Sequence, residues 1–508
     1  MSKKEMQNTE EKQEKVLTKY DLKMQKRAEE KKKAEREKRI SAITGIVVVV
    51  ALFCLVASFP IRSYLTVNGT YVKVAGESVS RVEFDYNYNM VKNNYVAQYG
   101  YYMSMFGIDL TGDLTRQMYS DTLTWQDFFE QMTIDNIIGN KALRDQAKAA
   151  GFTYDASKDY AEYEESLRTA AADAGMTEKD YIRQTFGTFA TASRLKGYVM
   201  EALETGAYYD AVAEEKTPSD GDIQAYYEEN KDDYDSVDYR IITVNAELPT
   251  EPTELADPVD DAEDTDEETV YQPSEAEIAA AMEIAKAEAE KAEATVRTEG
   301  DTRENMKKSD VLSHYRDWLF DSERKAGDTT IVENSSSHLY YVVSFENRYL
   351  DQTPTADARV IIVSGDAATG SDAILEEWKS GAATEDSFAE IADKYNDPAV
   401  VSAEGGLYEG LLSSGTSQDV ADWLFDGARK KGDVTVIHGG EGESDHVLYY
   451  VGDNSPEWNL SIKSTLLSQT MTDYMEEVSQ GYDVEDPKGN LYYLKVQAAE
   501  ESEAEDGE

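Results

Sequence analysis

The strongest feature in the pattern of apolar and polar positions is an uninterrupted apolar run near the start. No charged residue lies between Ile40 and Ile61, and positions 43–59 are dominated by Ile, Val, Leu, Phe and Ala. About 20 helical residues cross a hydrocarbon core of roughly 30 Å, so a transmembrane helix is expected at 40–61. A cleaved signal has a shorter apolar stretch and a small-residue cleavage site, which Ala57-Ser58-Phe59-Pro60 does not offer. Beyond the run the pattern turns amphipathic. Residues 71–74 and 78–79 read as a hairpin around Gly76, and Ser80-Arg81-Val82-Glu83 opens a helix with Phe84, Tyr88 and Val91 on one face. Thr124-Trp125-Gln126-Asp127 opens a second helix, and a successor carries Leu143 and Ala147 to Gly151. Thr177 caps another, and the helical pattern continues to about 230. An α-helical domain is expected at 66–235.

The pattern then repeats. Trp318-Leu319-Phe320-Asp321, Arg324-Lys325 and Gly327-Asp328 recur as Trp423-Leu424-Phe425-Asp426, Arg429-Lys430 and Gly432-Asp433, at a constant offset of 105. Each copy opens on a strand (240–244 and 359–363) and closes on Leu-Tyr-Tyr-Val (339–342 and 448–451). Two homologous α+β domains are expected, at 236–350 and 356–456. The first carries an acidic insertion at 251–272, read as a loop without fixed structure: residues 251–269 hold ten Asp/Glu and no basic residue. Ser274 caps an Ala-rich helix to about Val296, whose small apolar face predicts weak packing. A helix and strand at 457–496 return to the helical domain, and 497–508 form an acidic tail. The fold class is α+β and multidomain.

Composition narrows the chemistry. Of 508 residues, 41% are apolar and 30% charged, enough to build cores. Cys54 is the only cysteine, which excludes a disulfide framework and multi-Cys metal sites. It is not expected to carry a lipid anchor, because Phe53 stands where such a motif needs a small residue. His314, His338, His438 and His446 do not fall at metal-ligand spacing, and no phosphate loop, HExxH or nucleophile elbow occurs. No cofactor and no metal are expected. The net charge of −51 argues against nucleic acid as a partner. That charge is uneven: residues 1–39 carry +5, the remainder −56. A basic arm before an apolar span places the N-terminus in the cytoplasm and the body outside, as a single-pass membrane protein.

The second copy resembles a parvulin-type peptidyl-prolyl isomerase domain. The resemblance rests on residues 358–363, the helix 386–392, Lys394-Tyr395-Asn396-Asp397-Pro398, Gly405-Gly406-Leu407, residues 432–435 and His446. Residues 70–480 as a whole are similar to the SurA/PrsA group of extracytoplasmic chaperones, in which a helical chaperone domain precedes the parvulin and a returning helix follows it. The resemblance implies a foldase for exported, unfolded polypeptides. It also points to Asp397 and His446 as catalytic candidates, with His338 as the counterpart of His446 in the first copy. Two departures stand out. Val360 and Ile241 occupy the place of the family's opening-strand histidine, and the prolyl-pocket places fall near Thr416 and Val420, a poor pocket. Isomerase activity is therefore expected to be weak or lost, and His446 and Asp397 can equally be read as structural. A Tyr/Met-rich stretch supplies client-binding candidates: Tyr101, Tyr102, Met103 and Met105. The same residues would also suit an ordinary helical core. Two other functions stay open, an active isomerase and a non-catalytic interaction subunit of an envelope or secretion complex.

The topology is testable. Protease added to intact spheroplasts should degrade the body and spare residues 1–39, and protection of the body would refute the assignment.

Overall fold

The structure, a computed structural model, describes residues 49–50, 64–251, 253–254, 271–365, 369–397, 400–440 and 442–505. The expected arm at 1–39, nearly all of the expected span at 40–61 and most of the acidic insertion lie outside the described residues. Among the described residues no helix is long and apolar enough to cross a membrane. The chain divides into two compact units, with boundaries between Val212 and Ala213 and between Asp473 and Tyr474. The sequence pattern places boundaries near 235 and 457 instead. Both breaks fall inside continuous helices, where periodicity carries no mark of a change of unit.

In the first unit, β1 (Thr70–Val74) and β2 (Glu77–Ser80) form a hairpin. Its turn residues Ala75 (φ 50°) and Gly76 (φ 77°) are both left-handed, as a two-residue turn of this hand requires. The Ser80 side chain accepts from the Glu83 amide at 3.1 Å and starts α1 (Arg81–Met105). Thr124 and Asp127 form a full capping box for α2 (Trp125–Ala150), which ends at Gly151 in the left-handed conformation. The sequence suggests two helices here, but α2 runs unbroken for 26 residues. Three further helices follow: α3 (Ser157–Asp173), α4 (Glu178–Phe186) and α5 (Ala192–Glu215). One core joins Val82 and Tyr86 of α1 to Ile182, Phe186, Leu195 and Val199. A second core joins Val72, Val74, Val79 and Phe84 to Ile134 and Ile137 and is closed by Leu491 and Tyr493 from the far end of the chain.

The second unit takes in the last turn of α5 and continues with α6 (Asp220–Glu229) and α7 (Lys231–Tyr234). Its first sheet comprises β3 (Ser236–Asn245), β4 (Asp301–Lys307), β5 (Thr329–Asn334) and β6 (Leu339–Tyr349), in the order β4-β3-β6-β5. Its second sheet comprises β7 (Pro354–Val363), β8 (Leu407–Leu411), β9 (Val434–Ile437) and β10 (Asp445–Pro456), in the order β8-β7-β10-β9. The two orders are identical. The helices occupy the same places: α8 (Glu275–Ala292), α9 (Val296–Glu299) and α10 (Ser313–Phe320) in the first copy, against α11 (Ser371–Ser380), α12 (Glu385–Tyr395) and α13 (Gln418–Leu424) in the second. The Ala-rich α8 is not weakly packed. Met282, Ala285 and Ala289 are buried against Tyr340 and Val342, because small side chains let the helix approach the sheet closely.

The chain returns to the first unit through α14 (Glu457–Ser479), which starts in the second unit and ends in the first. There β11 (Val484–Glu485) pairs antiparallel with β1. Finally α15 (Tyr492–Glu505) packs on α2. The expected acidic tail is thus helical as far as Glu505.

The two sides of the acidic insertion meet at one carboxylate. Glu277 Oε1 accepts from the Thr253 amide at 2.8 Å and from its hydroxyl, and Oε2 accepts from the Tyr271 hydroxyl and from the Ser274 amide at 2.9 Å. Burial alone would raise the Glu277 carboxyl, but these donors outweigh it and hold it down at about 2. A depressed carboxyl stabilises the fold above its ordinary value of 4.5, and that contribution fades as pH falls towards 2. Amide exchange at Thr253 and Ser274 should therefore stay protected at pH 4. It should rise about tenfold or more in Glu277→Gln at pH 7, and unchanged exchange would show that the carboxylate does not hold these ends.

Candidate functional site

In the second sheet, side chains alternate between two faces. Ile361, Val363, Val447 and Tyr449 face α11 and α12. Val360, Leu448 and Tyr450 face α13, where they meet Val420 and Leu424. His446 shares the parity of Leu448 and Tyr450. It pairs with Ile362 on one side and Ile437 on the other, so aliphatic residues flank a half-buried imidazole. Burial lowers its pKa from 6.5, with the Asp445 charge opposing, and the ring is neutral at pH 7.

Asp397 lies at the exposed turn after α12, and its carbonyl accepts from the Val400 and Val401 amides. The preceding residue fixes that turn to the sheet. Asn396 Nδ2 donates to the Val360 carbonyl at 2.9 Å, and its Oδ1 accepts from the Ile362 amide at 3.0 Å. Asn396 thus continues the strand's own hydrogen-bond pattern with a side chain. Asp397 is carried towards the β7 edge in this way, but the carboxylate whose charge acts on His446 is that of Asp445, its neighbour in the strand.

Around this region the structural locks are complete. Arg359 Nη1 donates to the Gly405 carbonyl at 3.0 Å, and its Nε and Nη2 reach Glu385 at 3.3 and 3.2 Å. Asp393 accepts from the Gly405 amide at 2.6 Å. Gly406 has φ 64°, and a Cβ there would lie 2.4 Å from the Val360 carbonyl, so only glycine lets this loop close on β7. In the first copy a single glycine, Gly300, takes the corresponding place. Arg240 Nη1 donates to the Gly300 carbonyl at 3.2 Å, and a Cβ on Gly300 would meet the Val296 carbonyl at 2.6 Å.

Strand register corrects one assignment. Arg359 pairs with Tyr449 and Arg240 with Ser344, while β9 and β5 pair with β10 and β6 at the same spacing of 105. The offset of 105 therefore runs on through the closing strands, and the two Leu-Tyr-Tyr-Val stretches are not equivalent. The counterpart of His446 is Tyr341, not His338. Tyr341 packs against His314 and Tyr315, with ring centroids 5.7 and 5.3 Å apart. His338 sits in the β5–β6 turn with φ 51°.

Chemically, prolyl isomerisation must lower an amide rotation barrier of ~18–20 kcal/mol. That calls for polar groups around the twisting carbonyl and an open apolar slot for the ring. One neutral imidazole is present. At the place that the family resemblance gives to a second stands the buried Val360, and Val420 is buried in the same cluster. Thr416, at the other expected pocket place, is half-buried just before α13.

The first unit holds a different surface. At the end of α1, Tyr101, Tyr102 and Met105 are exposed at 76%, 61% and 68%. Met103 turns inward and packs beside Leu110, Leu114, Trp125 and Phe129. Three of the four client-binding candidates are thus on the surface and one belongs to the core, as a helical period of 3.6 residues dictates. The sequence reading missed Met118 and Tyr119, which are exposed on the loop before α2, with Tyr119 stacked on Phe128 at 4.3 Å. Phe106, at 78% exposure, extends the patch. A groove of about 560 Å³ runs beside it, lined by Val96, Gly100, Ile108 and Leu110.

No protein-family model and no curated protein matches the chain. Among solved structures, it is similar to one from a study of PEB4 and Cj1289, two SurA-like chaperones of Campylobacter jejuni, at 12% identity over 85% of this chain and 98% of that one, with a TM-score of 0.16. It is also similar to PrsA from Bacillus subtilis, at 13% identity over 63% and 95% of the two chains, with a TM-score of 0.13. A third is the foldase protein PrsA from Streptococcus pneumoniae, at 14% identity over 57% and 89%, with a TM-score of 0.14.

With Val360 and Val420 buried at these two places, the full chain is expected to accelerate X-Pro isomerisation of a test peptide little above background. A rate typical of active parvulins, abolished by His446→Ala or Asp397→Ala, would overturn this.

Proposed function

We propose that the chain is a membrane-anchored extracytoplasmic chaperone for exported polypeptides, held by a single span at 40–61 with its N-terminus in the cytoplasm. In this reading the two parvulin-like domains serve as scaffold and isomerase activity is weak or absent. The observation that carries it is the exposed end of α1. Single exposed apolar residues are ordinary, but seven of them, Tyr99, Tyr101, Tyr102, Met105, Phe106, Met118 and Tyr119, within 21 residues of one unit are not. Tyrosine and methionine suit weak, adaptable contact with many unfolded segments, since they combine apolar area with a polar tip or a flexible thioether. The patch rests on a rigid base. Tyr95 packs on Trp125, Phe128 and Phe129 with centroids 5.3–6.0 Å apart, which holds the helix end in place. The strong negative charge of the outer body keeps such a surface soluble and repels acidic clients.

The test is aggregation suppression of a chemically denatured protein by the full chain. Replacing Tyr101, Tyr102, Met105 and Phe106 together with Ser should weaken suppression several-fold, with circular dichroism unchanged because these side chains lie outside the core. The single change Met103→Ser should instead lower thermal stability, by about 1–2 kcal/mol, since Met103 is partly buried against the aromatic cluster. Full suppression by the quadruple variant would move the client site elsewhere. Absence of suppression by the unaltered chain would favour a non-catalytic interaction subunit.

A further inference from the structure

In the first unit an open pocket of about 560 Å³ is walled by residues 65–71, the first turns of α1, the loop before α5 and the chain around Lys488. These stretches are tied to one another. Lys488 Nζ donates to the Thr70 carbonyl at 2.5 Å, and Asn490 Nδ2 donates to the Tyr71 carbonyl at 2.9 Å. Gly187 has φ 106°, and a Cβ there would lie 3.1 Å from that of Asp85. A glycine thus lets the loop bearing Thr188 close on α1.

Arg81 is held in the pocket wall before any ligand arrives. Its guanidinium lies 4.6 Å over the Tyr71 ring, and its Nε pairs with Asp85 at 2.6 Å. Neither Nη donates a hydrogen bond to a described residue, and the side chain is 39% exposed. The guanidinium therefore keeps donors for an oxyanion arriving from solvent. Lys488 is exposed in the same wall, so two cations stand against one carboxylate, Asp85, within a strongly acidic body. Thr66 and Thr188, both exposed, add hydroxyls. Position indicates which oxyanion is at hand. Leu65 lines the pocket four residues beyond Ile61, the end of the expected span. Four residues extend at most ~14 Å, and the headgroup layer beyond the hydrocarbon is about 5–7 Å deep. The pocket is thus tethered close to lipid phosphates, and Tyr64, at 67% exposure, suits such an interface.

We propose that this pocket binds the phosphodiester headgroup of an anionic phospholipid. Arg81 donates through Nη to the phosphate oxygens, Lys488 adds a second positive charge, and Thr66 and Thr188 meet the headgroup hydroxyls. An anionic surface repels so acidic a body over about 8–10 Å, and the pocket offers that surface a point of attraction beside the anchor. The site is separate from both the α1 patch and His446. It rests on the anchored reading for its place at the membrane.

The test follows amide exchange by mass spectrometry in the full chain, held in maltoside micelles, which contain no phosphate. Phosphatidylglycerol added to the micelles should slow exchange severalfold in peptides covering 65–71, 187–189 and 487–490, saturably, and leave α2 unchanged. Phosphatidylcholine, whose headgroup has no net charge, and inorganic phosphate at equal concentration should each protect far less. Arg81→Gln should raise the phosphatidylglycerol needed for half-protection about tenfold, the worth of one charge-assisted hydrogen bond. Lys488→Gln should raise it about fivefold. Because Lys488 is exposed, this second variant decides the test if loss of the stack on Tyr71 unfolds the first. Equal protection by inorganic phosphate would make this a free-anion site, and equal protection by phosphatidylcholine would remove the role of charge. Either outcome overturns the proposal, as does exchange that no addition slows. The protease assay of topology and aggregation suppression are separate measurements, so the lipid site can fail while the anchored chaperone reading stands, and the reverse.

Discussion

The first unit depends on closure by a distant segment. Its core of Val72, Val74, Val79, Phe84, Ile134 and Ile137 is completed by Leu491 and Tyr493, which are 0% and 2% exposed. Each such side chain contributes about 1.5–3 kcal/mol on burial. Between the two segments the chain builds an entire second unit. Were that intervening chain flexible, closing a loop of its length rather than one of ten residues would cost only about 3 kcal/mol more, at roughly 0.6 kcal/mol per doubling. The few apolar contacts of β11 and α15 are enough to offset such a cost. The Lys73–Glu485 ion pair at 2.8 Å adds little, since both partners are well exposed.

This closure also determines where α1 can be bare. Its first turns are buried from two sides, by the hairpin core through Phe84 and by α4 and α5 through Val82 and Tyr86. Its middle rests on the aromatic cluster around Trp125 and Phe129. Among the described residues of the first unit nothing covers the last turn, so Tyr101, Tyr102 and Met105 stay in solvent while Met103 points back into the cluster. An exposed apolar helix end is tolerable because the rest of the same helix is so firmly held.

The architecture was legible wherever local chemistry punctuates it. Ser80, Thr124, Thr177 and Ser274 each cap the helix their sequence context announces. The offset of 105 at Trp318 and Trp423 foretold two equivalent sheets. What stayed hidden depends on long-range contact. Leu-Tyr-Tyr-Val occurs in both closing strands, yet pairing with Arg240 and Arg359 shifts the two occurrences by four residues. Matching words in two strands do not fix register; the hydrogen-bonded neighbours do. The packing of α8 was hidden for a similar reason, since alanine looks weak until a flat sheet lies beneath it. Whether an aromatic at 101 or a Met at 103 is exposed follows from helix phase, and the phase was set by contacts further back along α1.

The second repeat separates what holds a fold from what performs chemistry. Arg359, Asp393, Asn396, Gly405 and Gly406 are joined by short hydrogen bonds or by contacts only glycine permits. They bind the α12 end of the domain to β7, and their polar side chains are committed to that task. The face towards α13 is the reverse case: Val360, Val420 and Leu448 fill it, and one neutral histidine remains at its rim. A site that twists an amide needs polar groups where charge shifts and room where the ring enters, whereas on this face Val360, Val420, Leu448 and Tyr450 are buried together. Among the described residues of the second unit, the buried side-chain atoms left without a hydrogen-bond partner lie away from this face's histidine, at Ser236, Arg324 and Trp458.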